Sequence, residues 1–166
     1  AAFRRRDIDP GTEPGDRFVG LVLGQGEHLR IHPFPVDADL VVLLAQTRER
    51  REALADEAAA HDGLTLADVV LLPPVYPTAM RDFLTFEAHV DGMERGHGNP
   101  GPPAEWYQAP VFLFMAPHAV TGAYDDVEMP PDTERFDFEL EIAAIVCQDV
   151  RNATPAQARE AIGGYC

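Results

Sequence analysis

Three acidic side chains alternate with apolar ones along Phe136-Asp137-Phe138-Glu139-Leu140-Glu141-Ile142. In a β-strand, alternate side chains share a face. Asp137, Glu139 and Glu141 then line one face, with neighbours about 6.5–7 Å apart along the chain. Phe136, Phe138, Leu140 and Ile142 line the other. Carboxylates so close repel one another unless solvent or a cation screens them. A solvated outer face is one reading. Two features point instead to a cation. The acidic face runs on into Ala143 and Ile145, which reads as a covered surface, and no lysine or histidine lies close in sequence to neutralise the acids. Hard carboxylate oxygens without a soft ligand select Mg²⁺, Mn²⁺ or Ca²⁺.

A second candidate lies in Arg81-Asp82-Phe83-Leu84-Thr85-Phe86-Glu87-Ala88-His89-Val90. If the stretch is helical, Asp82 and His89 share a face two turns apart, about 10 Å by rise. An acid for a metal and a histidine for proton transfer would then face one cavity. A surface aspartate and a partly buried histidine fit the same spacing. The remaining histidines show no HExxH or comparable pattern. Gly24-Gln25-Gly26 lacks the third glycine and the following helix of a dinucleotide site. The chain contains no serine and no lysine, so serine-hydrolase, Schiff-base and P-loop chemistry are excluded.

These residues need elements to hold them. Residues 1–16 read as a loose leader or a short strand pairing elsewhere. Residues 17–31 alternate around Gly24 and Gly26 and predict a hairpin. Residues 39–61 carry a helical stripe of Leu40, Leu43, Leu44, Leu54 and Ala58, with Gly63 as a stop. Residues 66–72 predict a short strand closed by Pro73-Pro74. Thr78 caps a predicted helix through Met93. Residues 96–103 form a loop of glycine and proline. Residues 111–115 predict a buried strand, and 135–146 the clearest strand of the chain. Thr154 and Pro155 start a helix that runs to Ile162 and stops at Gly163-Gly164. The predicted boundary separates a small N-terminal subdomain, residues 1–74, from residues 75–166.

With 166 residues, 46% hydrophobic and 25% charged, the chain has the length and balance of about one globular domain. No apolar run is long enough for a membrane span, and the start has no apolar core of a secretory signal. Arginine supplies all 13 basic residues against 28 acidic ones, for a formal charge of −15. Such a field disfavours nucleic acid and anionic membranes. Arginine in place of lysine, with much Ala, Gly and Pro, suggests a GC-rich bacterial genome. Cys147 and Cys166 are too few for a disulfide framework and form no metal-ligand pair. Two reduced thiols fit a cytoplasmic protein.

Arg81-Asp82-Phe83, Phe86-Glu87-Ala88-His89-Val90, Trp106-Tyr107, Pro110-Val111, the Asp137-x-Glu139-x-Glu141 strand and Gly164-Tyr165, in this order, resemble the fumarylacetoacetate hydrolase family. The resemblance runs from about Leu66 to the last residue. It implies an α+β fold, a mixed β-roll behind a small N-terminal α/β subdomain. It implies a divalent cation, Mg²⁺ foremost with Mn²⁺ or Ca²⁺ as alternatives, held by Asp82, Glu139 and Glu141. It makes His89 the proton-transfer residue and leaves Asp137 outside the ligand set. In short-type members a glutamate three residues after the histidine completes a dyad. Gly92 stands there, so Glu94, or Glu87, is the candidate replacement. Arg95 is a candidate carboxylate clamp, and Tyr107 with Trp106 a candidate pocket wall.

The implied activity is metal-dependent hydrolysis of a C–C bond in a β-dicarbonyl or acylpyruvate-type acid. Decarboxylation, isomerisation or hydration of a related 2-oxo acid is the alternative, as is a non-catalytic binding or assembly subunit. Family members continue past Gly-Tyr into a strand with another metal-binding aspartate. The 166 residues are therefore expected to be part of a larger functional unit, completed as a homodimer or by a second chain.

Overall fold

The computed structural model describes residues 1–7, 17–35 and 39–166. Contacts divide the chain into two compact units, one of Ala1–Val75 with Thr121–Cys166 and one of Tyr76–Val120. Helices and antiparallel sheets are mixed, which makes the fold α+β.

In the first unit, β1 (Ala2–Arg5), β2 (Phe18–Leu23), β3 (Arg30–Pro33) and β4 (Val69–Leu71) form one sheet in the order β3-β2-β1-β4. Every pair is antiparallel. The predicted hairpin is β2–β3, in register from Gly20↔Pro33 to Leu23↔Arg30. Of the two readings of residues 1–16, the short strand holds at Ala2–Arg5, where β1 lies between β2 and β4, and residues 8–16 lie outside the described residues.

Side-chain alternation gives this sheet two apolar faces. On one, Phe3, Ile31 and Val69 are buried and Phe18 packs against them, its ring 5.7 Å from that of Phe3. Burial of a side chain the size of Phe3 contributes about 1.5–3 kcal/mol. On the other, Val19 is buried with Leu43 and Leu54. Those two leucines come from α1 (Leu40–Leu44) and α2 (Arg48–Ala59). The single helical stripe expected over 39–61 is thus two helices. The break falls where Thr47 takes extended backbone and its hydroxyl accepts the Arg50 N–H at 3.3 Å. Asp39 caps α1 in the same way through the Val41 N–H, at 2.8 Å. Residues 66–72 divide as well, into a 3₁₀ turn at Leu66–Asp68 and then β4.

The second unit holds β5 (Met80–Phe83), α3 (Glu87–Gly96), a 3₁₀ turn at Ala104–Tyr107 and β6 (Phe112–Met115). β5 and β6 pair antiparallel, with Asp82 opposite Leu113 and Phe83 opposite Phe112. The helix expected from Thr78 to Met93 is therefore a strand followed by a shorter helix. Cross-strand contacts decide this. The Phe83 and Phe112 rings lie 5.2 Å apart, and the Arg81 guanidinium sits 4.1 Å from the Phe114 ring centroid. Such pairs are the unit of sheet stabilisation, and they outweigh a local helical pattern.

The remaining elements belong to the first unit. β7 (Ala144–Val146) pairs antiparallel with β8 (Ile162–Tyr165), and α4 (Pro155–Glu160) joins them. The Thr154 cap and Pro155 at the first helical position are as predicted. Gln157 completes a capping box, its side chain accepting the Thr154 N–H at 3.0 Å. The helix stops sooner than expected, and Gly163-Gly164 lie in the strand. A Cβ on Gly163 would come within 2.7 Å of both Cys147 Sγ and Leu44 Cβ, so the glycine serves close packing and not helix termination.

The strand expected over 135–146 is the main departure. Only Ala144–Val146 belongs to a strand, and Ala143 adds one further backbone exchange with Cys166 at 2.8 and 3.0 Å. Residues 136–142 carry the alternation but no strand partner among the described residues. Alternation fixes which side each residue takes. A strand also needs a neighbouring backbone.

Candidate active site

The second unit carries most of the assigned residues. Asp82 is half-buried on β5, and alternation puts it on the opposite face from Arg81 and Phe83. His89 is the third residue of α3, exposed, its N–H donating to Phe86 O at 3.0 Å. The two do not share a helix, because Asp82 is in the strand. Val90, fully buried, anchors this end of α3.

The turn from β5 into α3 is held from the 3₁₀ segment. Trp106 Nε1 donates to Leu84 O at 3.0 Å. Tyr107 donates its hydroxyl to Glu87 Oε1 at 2.8 Å. The Trp106 and Tyr107 rings meet edge to face at 4.9 Å. The hydrogen bond to Glu87, then desolvation and the charges of Glu87 and Asp91, push the Tyr107 phenol above its ordinary pKa. Between residues 84–85 and 106–111 lies a shallow groove of about 350 Å³, lined by Leu84, Thr85, Trp106 and Tyr107 among others.

The acids of α3 are each engaged. Glu87 takes the Tyr107 hydroxyl, and Glu94 takes Asn99 Nδ2. Asp91 takes Arg95 Nε on both oxygens, at 2.9 and 2.8 Å. That hydrogen bond and the Asp91 charge raise the Arg95 pKa. Among the described residues no hydrogen bond reaches the His89 ring. Asp91 and Asn99 escaped the sequence reading. The Asp91–Arg95 spacing of four, which places the two on one helix face, was the available signal.

Glu139 and Glu141 belong to the first unit, exposed on the 136–142 segment. Asp137 Oδ1 accepts the Phe138 N–H at 2.9 Å. The other side of the segment is uncovered, with Phe138 84% and Leu140 94% exposed. Asp82, Glu139 and Glu141 are all hard oxygen donors, and by donor chemistry they fit a divalent cation of the Mg²⁺ or Ca²⁺ kind. Among the described residues no three His, Cys, Asp or Glu side chains are grouped to hold a metal.

Residues 78–166, more than half of the chain, match the fumarylacetoacetate (FAA) hydrolase C-terminal domain. The chain belongs to the fumarylacetoacetate hydrolase family. Asp82, His89, Glu94, Arg95, Tyr107, Glu139 and Glu141 all lie inside the matched region. An uncharacterised protein of Archaeoglobus fulgidus is 32% identical over 113 residues, which take in 66% of this chain and 41% of that relative. The matched part of the chain thus spans less than half the length of this relative. No solved structure matches it. No helix among the described residues is long and apolar enough to cross a membrane.

Proposed function

We propose that the chain is a metal-dependent hydrolase that cleaves a C–C bond in a β-dicarbonyl or acylpyruvate-type acid in the cytoplasm. The observation that carries this reading is the family match over 78–166, which contains every residue assigned to the site. Asp82, Glu139 and Glu141 would hold the cation, with Mg²⁺ foremost and Mn²⁺ or Ca²⁺ as alternatives. When bound, it would supply Lewis acidity to paired substrate oxygens.

The chain's own groups do the rest. His89, in the first turn of α3, takes a proton from water as general base. The water oxygen attacks the substrate carbonyl, the C–C bond breaks, and His89 returns its proton to the carbanionic carbon. Glu94, further along α3, stands in for the glutamate that completes the dyad with His89. Arg95 holds the substrate carboxylate, and Tyr107 with Trp106 forms a wall.

The mixed β-roll that the family resemblance implies would supply a strand partner for residues 136–142. We propose that a second copy of the chain, or a completing chain, covers the apolar side of this segment and draws the carboxylates together.

The test is turnover by the purified protein, with Mg²⁺ or Mn²⁺, of a panel of acylpyruvates and oxaloacetate. Cleavage of an acylpyruvate, abolished by chelator, is expected. Decarboxylation of oxaloacetate alone would move the reading to the lyase alternative. Metal binding without turnover of any member would make the chain an assembly subunit.

A further inference from the structure

Arg95 and Asp91 form an i,i+4 ion pair on α3. Arg95 Nε alone engages Asp91, reaching both carboxylate oxygens. Nη1 and Nη2 have no hydrogen-bond partner among the described residues. A guanidinium binds a carboxylate as a two-toothed fork through parallel N–H groups. With Nε occupied, the fork left over is the Nη1–Nη2 end.

The loop after α3 is shaped around this pair. Gly101 has φ +139°, a conformation that side chains avoid. A Cβ there would come within 2.9 Å of Asp91 Oδ1 and 3.8 Å of Arg95 Nη2. The loop backbone thus packs close against Asp91 Oδ1, beside Arg95 Nη2, and a side chain at position 101 would crowd the pair. Asn99 ties the same loop to α3, through its N–H to Glu94 O at 2.9 Å and its side chain to the Glu94 carboxylate.

We propose that Asp91 is a positioning residue, which holds the Arg95 guanidinium by Nε so that its two Nη groups form the fork for the carboxylate of the acid substrate. This rests on the proposed acid-binding function and adds how the clamp is aimed. An arginine fixed at Nε loses less freedom on binding than a free one, which is the gain from preorganisation. The substrate class that follows carries a free carboxylate beside its 2-oxo group, and an ester of the same acid forfeits the fork.

The test is equilibrium binding of acetopyruvate and of its methyl ester to the purified protein with Mg²⁺, alongside kcat and KM. Arg95→Gln should weaken binding of the acid about tenfold. Asp91→Ala should weaken it several-fold, by raising KM with kcat within about twofold. Asp91→Asn, whose amide oxygen still accepts the Nε–H, should restore most of the affinity. The ester should bind all four proteins alike. In an Arg95→Gln background, Asp91→Ala should have no further effect, whereas a merely structural aspartate would still cost affinity there. Acylpyruvate turnover with unchanged acid affinity in Arg95→Gln or Asp91→Ala would overturn the inference and leave the function standing. Failure of the wild-type protein to bind or turn over the acid would overturn both.

Discussion

Tyr107 donates its hydroxyl to Glu87, twenty residues earlier in the chain, at 2.8 Å. The bond ties the 3₁₀ turn to the first residue of α3, two positions before His89. A carboxylate beside a phenol favours the protonated phenol, and the Tyr107 pKa is raised accordingly. The folded state thus holds this proton more tightly than the unfolded chain. The pair's contribution is complete below about pH 10, the ordinary tyrosine value, and is lost as pH rises through the raised one. Glu87→Gln should bring the Tyr107 titration back toward the ordinary range. Tyrosinate absorbance, differenced against Tyr107→Phe, measures it; an unmoved titration would place the hydroxyl elsewhere.

Trp106 is the only tryptophan, so its fluorescence reports on the second unit alone. Trp106→Phe keeps an aromatic ring but loses the bond to Leu84 O. Loss of one such hydrogen bond should cost about 1 kcal/mol, seen as a lower denaturant midpoint by circular dichroism. A midpoint at the wild-type value would show that the turn is held without it.

Asp68 accepts from the Thr65 hydroxyl at 2.7 Å and from the Thr65 N–H at 2.8 Å. These bonds, the hydroxyl first, lower its carboxyl pKa. The stability they contribute is therefore present above the unfolded carboxyl value, about pH 4, and lost as pH falls through the lowered folded one. Thr65→Val should be less stable than wild type near neutral pH, and the two should converge in acid. A difference that stays constant down to the acid transition would contradict the linkage.

The parts of the fold legible in the sequence are those whose signals are local. The β2–β3 hairpin announces itself by alternation around Gly24 and Gly26, and α4 by Thr154 and Pro155. The missed elements depend on partners distant in sequence. Residues 80–83 carry a pattern that continues into α3, and only the Phe112–Met115 strand shows that they are β. Residues 136–142 alternate as a strand should, yet pairing stops at Ala143. The site divides in the same way. The residue types at 82, 89, 139 and 141 are plain in the sequence, whereas the engagement of Glu87 by Tyr107 requires the turn that brings them together.

The apolar side of 136–142 gives the proposed assembly its test. Leu140 is 94% exposed, so it has almost no packing to lose within the single chain. Leu140→Asp should leave the thermal midpoint of the isolated chain nearly unchanged. Native mass spectrometry should find the wild type above the 18.2 kDa of one chain, and the variant at it. A wild-type protein at the single-chain mass would contradict the assembly.

Calorimetric titration of Mg²⁺ into wild type, Glu139→Gln, Glu141→Gln and His89→Ala tests the site assignment most directly. An amide cannot supply the missing negative charge, so each glutamine variant should lose most of the affinity. His89→Ala should bind within a few-fold of wild type while losing turnover, because its part is the proton and not the metal. Unchanged Mg²⁺ affinity in both glutamine variants would contradict the account, as would loss of metal binding in His89→Ala.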